Sequence, residues 1–527
     1  MSRPSLAPPR SLWILWILLA AGGLYLQLND PAGDRGIANV FTGMVLIAML
    51  SSAWIFLLFR GGRALRLRLV LATLVLIGLC FGPLRLLNFK GFDGVMIPEF
   101  ESRFRSPGPA LPTELDENLE ELAQSSPLDF PHFQAPLSGS PLSEGGLAGD
   151  WLEESPSLLW KQPIGLGWGG FAIAGGVALT LEEREGRQAL IAYELETGAT
   201  LWSTTFGEAF TNVLGGPGPR STPTVAKGLV LAHGPRGMLI CVDGKDGSLR
   251  WSHDLMAEYG VDQAYEDAHV GFGRANSPLV IENKVILPAG GVEGGKQAGL
   301  VAFDLMDGSL LWESPPRQIS YATPILGVLG GVEQILITNE DTLSAHDPEN
   351  GAILWEHSWP GNTPNDANTS QPRILDDARV FLSKGYGQGA SVIEVSRVGE
   401  HWKVETLWHN KRLLRTKFTS AVIHEGHAYG LSDGILECGD LASGKRVWKG
   451  GRYQHGQLML VDGLLLILSE EGYLALVEAT PDKEAHELGR VPALEGKTWN
   501  HIALSGDLIL VRNADEAALL RWPSKKP

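Results

Sequence analysis

The chain has 527 residues, 60 of them acidic against 43 basic, a formal charge of −17, and only three cysteines. That length exceeds one ordinary domain of roughly 100–200 residues. The acidity excludes a nucleic-acid binder, which needs a basic surface, and three cysteines exclude a disulfide framework.

Three uncharged apolar runs open the chain, Leu12–Leu28, Ala38–Phe59 and Leu69–Leu84, each close to the ~20 residues a helix needs to cross a bilayer core. The first follows Arg3 and Arg10, as a cleavable signal would. Two further spans succeed it, however, and no small-x-small cleavage site is evident, so residues 1–90 are expected to form a retained anchor of three transmembrane helices. The second loop carries Arg60, Arg63, Arg66 and Arg68, whereas the first carries Asp30, Asp34 and Arg35. Basic loops stay in the cytoplasm, which places the N-terminus there and everything after about Asn88 outside it. In a diderm host the protein is then integral to the inner membrane and faces the periplasm. No cysteine precedes Cys80, so a lipid anchor on an N-terminal cysteine is not expected.

Residues 91–157 turn to Pro, Ser, Gly and acids, with Arg103 and Arg105 as the only basic residues, and read as a solvated linker. Within it Thr113–Gln124 has a helical pattern, Thr113 standing as N-cap before Glu114, Asp116 and Glu117.

From 158 to 527 one grammar repeats. Ala192 to Trp202, Cys241 to Trp251, Ala302 to Trp312, Ala345 to Trp355 and Cys438 to Trp448 share a small residue, a carboxylate two positions later, then Gly198, Gly247, Gly308, Gly351 or Gly444, and Trp four residues after the glycine. Each copy reads as two strands joined by a tight turn in which glycine supplies positive φ. A large ring presented identically by every unit stacks neighbours into a closed ring, which specifies an all-β propeller of four-stranded antiparallel blades. Trp160, Trp202, Trp251, Trp312, Trp355, Trp408, Trp448 and a degenerate position near Gly489 count eight blades, with seven as the alternative because the units around Trp408 and Gly489 have lost the spacing. The strand at Leu158-Leu159-Trp160 has no repeat before it, and 499–521 supplies about three strands, so the first strand is expected to complete the last blade. Cys241 and Cys438 fall in the column that elsewhere holds alanine and read as small core residues.

The spacing Ala-x-Asp-x-x-Thr-Gly-x-x-x-Trp resembles the tryptophan-docking motif of the quinoprotein-type (PQQ-like) β-propeller repeat family, over roughly residues 129–527. That family joins PQQ-dependent alcohol dehydrogenases to non-enzymatic BamB-like propellers. Asp129-Phe130-Pro131-His132-Phe133, Gly167-Trp168, 216–224 and 383–387 look like the BamB-like bacterial members. For the dehydrogenases the resemblance implies PQQ over an adjacent-cysteine disulfide and calcium held by Glu, Asn and Asp.

The starts of the innermost strands also align, at 220–223, 275–278, 321–324, 369–372, 418–420 and 499–501. With their neighbours they offer Trp168, Arg220, Thr222, Arg274, Asn276, Asn368, Lys417, Thr419, His455, Trp499 and His501 to one mouth of the channel, a set suited to an anionic or planar ligand. Against this stands the plainer role of Ser/Thr-Pro at a strand start, which is to bond nearby backbone. The insertion 256–273 carries Glu258, Asp262, Glu266, Asp267 and His269 and could cap the channel or meet a partner, but no spacing enforces a metal site. His424-Glu425-Gly426-His427 reads as a hairpin turn rather than a zinc motif.

No Cys-Cys pair, haem-attachment motif or Gly-x-Ser-x-Gly elbow occurs, so no catalytic residue is assigned. The reading is a membrane-anchored extracytoplasmic propeller that works by binding, either as a scaffold for protein partners in the envelope or as a small-ligand receptor. The alternative is a PQQ- and calcium-dependent dehydrogenase passing electrons to the membrane.

Overall fold

The computed structural model describes residues 8–29, 35–60, 62, 64–73, 86–104, 108–111, 129–134, 149–360, 367–399 and 401–524. Two compact units divide it, Met1–Pro107 with Val213–Gly216, and Gly108–Asn212 with Pro217–Pro527.

In the first unit, helices α1 (Arg10–Asn29) and α2 (Arg35–Arg60) lie side by side. Trp16 Nε1 donates to Ser52 Oγ at 2.9 Å, and Gln27 Nε2 donates to Asn39 Oδ1 at 3.1 Å and Thr42 Oγ1 at 3.0 Å. Among the described residues two helical stretches, Arg10–Leu28 and Ala38–Arg60, are long and apolar enough to cross a bilayer. Three were expected. The third run, Leu69–Leu84, is helical up to residue 73 within a helix over 64–73, and residues 74–85 lie outside the described residues. Strands Leu87–Phe92 and Pro98–Ser102 then pair as an antiparallel hairpin where the composition had suggested linker. The expected helix Thr113–Gln124 lies outside the described residues.

The second unit contains eight four-stranded antiparallel sheets. Seven follow chain order, from blade 1 (first strand Ala172–Ala174, fourth strand Thr200–Glu208) to blade 7 (first strand Gln457–Val461, fourth strand Glu487–Pro492). Blade 8 joins the chain's two ends: Ala503–Ser505, Leu508–Arg512 and Glu516–Arg521 receive Ser157–Pro163 as fourth strand, with Leu158 opposite Leu520. First strands of neighbouring blades approach one another, in blades 1 and 2, 2 and 3, 6 and 7, and 8 and 1, and so line the central channel. Second and third strands are buried on both faces, as at Leu229–His233, because each blade packs against two neighbours.

Tryptophans make the seams. Five indoles of fourth strands, Trp160, Trp202, Trp251, Trp312 and Trp408, lie on the turn glycine of the next blade and donate to a carbonyl of that turn, and Trp448 donates to a carbonyl of blade 7's glycine-free turn. Trp160 Nε1 reaches Leu195 O at 2.9 Å, Trp202 Gly244 O at 3.0 Å, Trp251 Leu305 O at 2.9 Å, Trp312 Pro348 O at 3.3 Å, Trp408 Leu441 O at 2.7 Å and Trp448 Thr480 O at 3.0 Å. The glycine is required twice over. Gly247 has φ of 71°, and a Cβ there would stand 2.5 Å from Trp202 Cε3. The small-residue column has a reason in the same register, since Ala192, Cys241, Ala302, Ala345 and Cys438 stand directly opposite the tryptophans, each followed by a β-bulge. Burial pushes both thiols of Cys241 and Cys438 up to about 12, so neither is a nucleophile at neutral pH.

Two seams depart from the pattern. Gly399, between the third and fourth strands of blade 5, has nothing within 4 Å of a Cβ placed on it, and Trp355 Nε1 instead donates to the buried Gln334 Oε1 at 2.7 Å. In blade 7 the pair is exchanged, with Gly489 opposite Leu476 where five other blades set Trp opposite Ala or Cys. Trp151, from the segment before blade 8, fills the gap. Its backbone N–H donates to Leu488 O at 2.9 Å, a Cβ on Gly489 would stand 2.6 Å from its own Cβ, and its ring meets Trp522 edge-on at 5.1 Å. Trp522 N–H donates to Asp507 O, as Leu195 N–H does to Gly176 O in blade 1, so Trp151 packs over blade 8 where a docking indole would, although its Nε1 has no partner among the described residues. Trp151→Ala, which empties a site 3% exposed, should cost about 3–5 kcal/mol, whereas its neighbour Leu152, 78% exposed, should tolerate alanine with little change. Denaturation midpoints of the two variants check this, and equal small shifts would contradict it.

Candidate functional site

The aligned strand starts serve first to tie blades together. Thr222 Oγ1 accepts from Gly170 N–H at 3.0 Å, Ser277 Oγ from Thr222 N–H at 2.9 Å, Thr323 Oγ1 from Ser277 N–H at 3.0 Å and Ser420 Oγ from Gln371 N–H at 3.1 Å. This belt passes a hydrogen bond from blade to blade round the channel wall. The amides do the same work. Asn276 Nδ2 donates to Ser320 O and Ala322 O, Asn368 Nδ2 to Asn339 O, Glu340 O and Trp359 O, and Asn500 Nδ2 to Gly167 O and Gly169 O.

Arg274 is wholly buried and gripped by Glu266 of the insertion, at 2.7 Å through Nε and 3.2 Å through Nη2, with Nη1 on Ala289 O at 2.8 Å. The insertion forms helices Leu255–Glu258 and Gln263–His269, capped by Asp254 and Asp262, and this ion pair pins it to blade 3. Among the described residues no group of three or more His, Cys, Asp or Glu is placed to hold a metal ion. His424 to His427 is a two-residue hairpin turn, with Glu425 and Gly426 at positive φ.

Three expected residues meet. Trp168 and Trp499 face each other at 5.0 Å, Phe418 adds its ring 4.9 Å from Trp499, and His455 lies 5.6 Å from Phe418. Glu470 fixes the group by accepting from Trp499 Nε1 at 2.8 Å and from His455 N–H at 2.9 Å. Lys497 stands over both indoles, at 5.2 and 4.5 Å from their centres. Trp168 Nε1 and Thr419 Oγ1 are buried polar atoms without a partner among the described residues. Lys417 is buried beside this group in sequence, and its carbonyl accepts from Thr369 Oγ1. Arg220 lies apart, over Phe210 at 4.9 Å and bonded to Gly218 O, and burial lowers its pKa to about 10.

Sequence reasoning did not single out the centre of the channel. The segment 129–134 runs inside the ring: Phe130 bridges Ile173 on the first strand of blade 1, and Pro131 O accepts from Val225 N–H on that of blade 2. Phe133 then meets the His501 ring edge-on at 4.5 Å, and Gln134 Oε1 accepts from Arg373 Nη2 at 2.5 Å. Arg373 opens the first strand of blade 5. It follows directly on the aligned start 369–372, and that adjacency was the available signal.

A quinoprotein cofactor does not fit these residues. Cys241 and Cys438 are buried in different blades, the described carboxylates form no cation cage, and the chain's own 129–134 crosses the space inside the first strands.

With this geometry in view, the likenesses to known proteins divide cleanly. A family model described as outer membrane protein assembly factor BamB matches residues 152–270 and 218–450, more than half of the chain. The BamB of Yersinia pestis is 25% identical over 296 residues, 54% of this chain and 64% of that protein. The BamB of Alkalilimnicola ehrlichii is 27% identical over 226 residues, 40% of this chain and 52% of its own length. The chain thus spans less than two thirds of either relative. The quinohemoprotein alcohol dehydrogenase of Comamonas testosteroni has a TM-score of 0.51 at 12% identity, over 78% of this chain and 83% of that one, a likeness of fold alone.

Burial holds the His233 and His501 pKa values down to about 3, with Arg274 adding to the effect at the first and Arg373 at the second. Unfolded, both would titrate near the usual ~6.5. Below that value the unfolded chain binds protons that the folded chain refuses, so stability falls as pH drops from about 6.5 towards 3. The denaturation midpoint should be lower at pH 5 than at pH 7, and His501→Asn should shrink the difference. A midpoint independent of pH over that range would contradict the assignment.

Proposed function

This chain belongs to the family of the outer membrane protein assembly factor BamB, and we propose that it is a scaffold, anchored in the membrane by its N-terminal helices, that holds protein partners in the cell envelope. The observation that carries this reading is the use to which the inner polar residues are put. Belt hydroxyls, bridging amides and the Arg274–Glu266 clamp rigidify the ring, and the chain's own 129–134 crosses the space inside the first strands. A rigid ring whose chemistry is spent on its own seams is suited to presenting loops and edges to other proteins. The names of the relatives, assembly factors of the outer membrane, support the same reading.

Inner-membrane location with a periplasmic propeller belongs to this proposal, and it requires the run Leu69–Leu84 to cross the bilayer as a third span. Glu196 is exposed in a blade 1 turn, and the described cysteines are buried. A Glu196→Cys variant should therefore react with a membrane-impermeant maleimide in cells whose outer membrane has been permeabilised. Labelling only after lysis would place the propeller in the cytoplasm and overturn the topology. For the scaffold itself, a photo-crosslinking residue at exposed loop positions of the full chain in native membranes should yield the same discrete adducts with another protein in repeated experiments. Adducts confined to the chain itself would contradict it.

A second reading, a planar ligand on the Trp168–Trp499–Phe418 group, is favoured by the unpartnered Trp168 Nε1. Its mark would be a ligand-dependent change in indole fluorescence that Trp499→Ala abolishes.

A further inference from the structure

The arginines inside the propeller differ in how their charge is met: Arg184, Arg274 and Arg512 are buried, and Arg373 is half-buried. Arg274 has Glu266, and Arg184 has Glu182 at 2.8 Å with Tyr193 beside it. Arg512, at the seam of blades 8 and 1, donates to Thr180 Oγ1, Leu181 O, Gly165 O, Gly167 O and Asn513 O and feels the charge of Glu182. Arg373 has only neutral acceptors among the described residues: Ala421 O at 2.9 Å, Gln371 Oε1 at 3.5 Å and Gln134 Oε1 at 2.5 Å. No carboxylate contributes to its environment, and burial alone lowers its pKa to about 10, so it is charged at neutral pH. Its neighbour His501 is neutral there. Among the described residues, Arg373 therefore carries a positive charge that no carboxylate meets. A guanidinium half-withdrawn from water is held by a carboxylate roughly twice as strongly as by a neutral acceptor, and a half-buried charge met only by neutral groups calls for an explanation.

Gln134 supplies that explanation. Its amide oxygen occupies the position a carboxylate oxygen would take, and its backbone holds it there with a positive φ of 54°. Phe133, the residue before it, lays its ring edge against His501. Together they present an aromatic ring next to an oxygen acceptor, carried on a segment held to blades 1 and 2 by two backbone contacts, Phe130 with Ile173 and Pro131 with Val225.

We propose that Arg373 is the binding point for a ligand bearing a carboxylate beside an aromatic ring, and that Phe133 and Gln134 are its internal stand-in. The ligand enters by displacing the end of the 129–134 segment, exchanging a neutral acceptor on Arg373 for a charged one. This site is separate from the scaffold reading and stands or falls without it.

The test uses the full chain in detergent and two probes, N-acetylphenylalanine and its neutral amide. Gln134→Ala removes the internal competitor without touching Arg373. That variant should bind the acid in a saturable calorimetric titration, about tenfold more tightly than the parent chain, with the amide at least about tenfold weaker than the acid. Arg373→Gln, combined with Gln134→Ala, should abolish the preference for the acid. Equal binding of acid and amide by Gln134→Ala, or absence of acid binding to it, would overturn the proposal, and that comparison decides the matter even if the Arg373 variant does not fold.

Discussion

An indole of one blade resting on a glycine of the next is the contact on which the molecule depends. It sets three sequence constraints at once. The turn must hold a residue with positive φ and no Cβ, the residue opposite the tryptophan must be small, and a carbonyl must be free to accept from Nε1. Gly247, Cys241 and Gly244 O meet these conditions around Trp251 and Trp202. Because each blade is buried on both faces, no blade can hide its apolar strands alone, and the seam is where the blades become one structure. The belt of hydroxyls on the inner rim repeats the device with polar groups, fixing the first strands while the indoles fix the outer ones.

The ends of the chain are drawn into that ring. Blade 8 exists only when Ser157–Pro163 joins Glu516–Arg521, and the missing indole of blade 7 comes from Trp151. Arg512 and Glu182 close the seam between the last blade and the first with a buried network that includes Arg184 and Tyr193. Ahead of that, 129–134 threads the channel. The N-terminal approach to the propeller is thus a structural part of it, which explains why an acidic, Pro-rich stretch keeps isolated aromatics at Phe130, Phe133 and Trp151.

What could be read in advance follows from sequence distance. The docking motif is local, so five blades, their strand pairing and the idle cysteines were legible from spacing, and the closure of blade 8 followed from counting strands. The degenerate unit at Gly489 could be placed but not explained, because its indole comes from a segment more than 300 residues away. At the candidate site the same division holds. Trp168, His455 and Trp499 come together as their shared position in successive blades implied. The targets of Asn276, Asn368 and Arg274 lie on neighbouring blades or the insertion, and no local pattern reveals them. Arg373 escaped because its meaning depends on Gln134, brought to it only by the fold.

The account holds that the quinoprotein-type repeat serves here as architecture, with the chain's own 129–134 crossing the channel and the belt hydroxyls and amides committed to the ring. The most direct measurement is a calorimetric titration of PQQ, with and without calcium, into the full chain. No saturable heat from folded protein in either condition is the predicted result. Saturable binding that requires calcium would contradict it and would return the channel to redox chemistry.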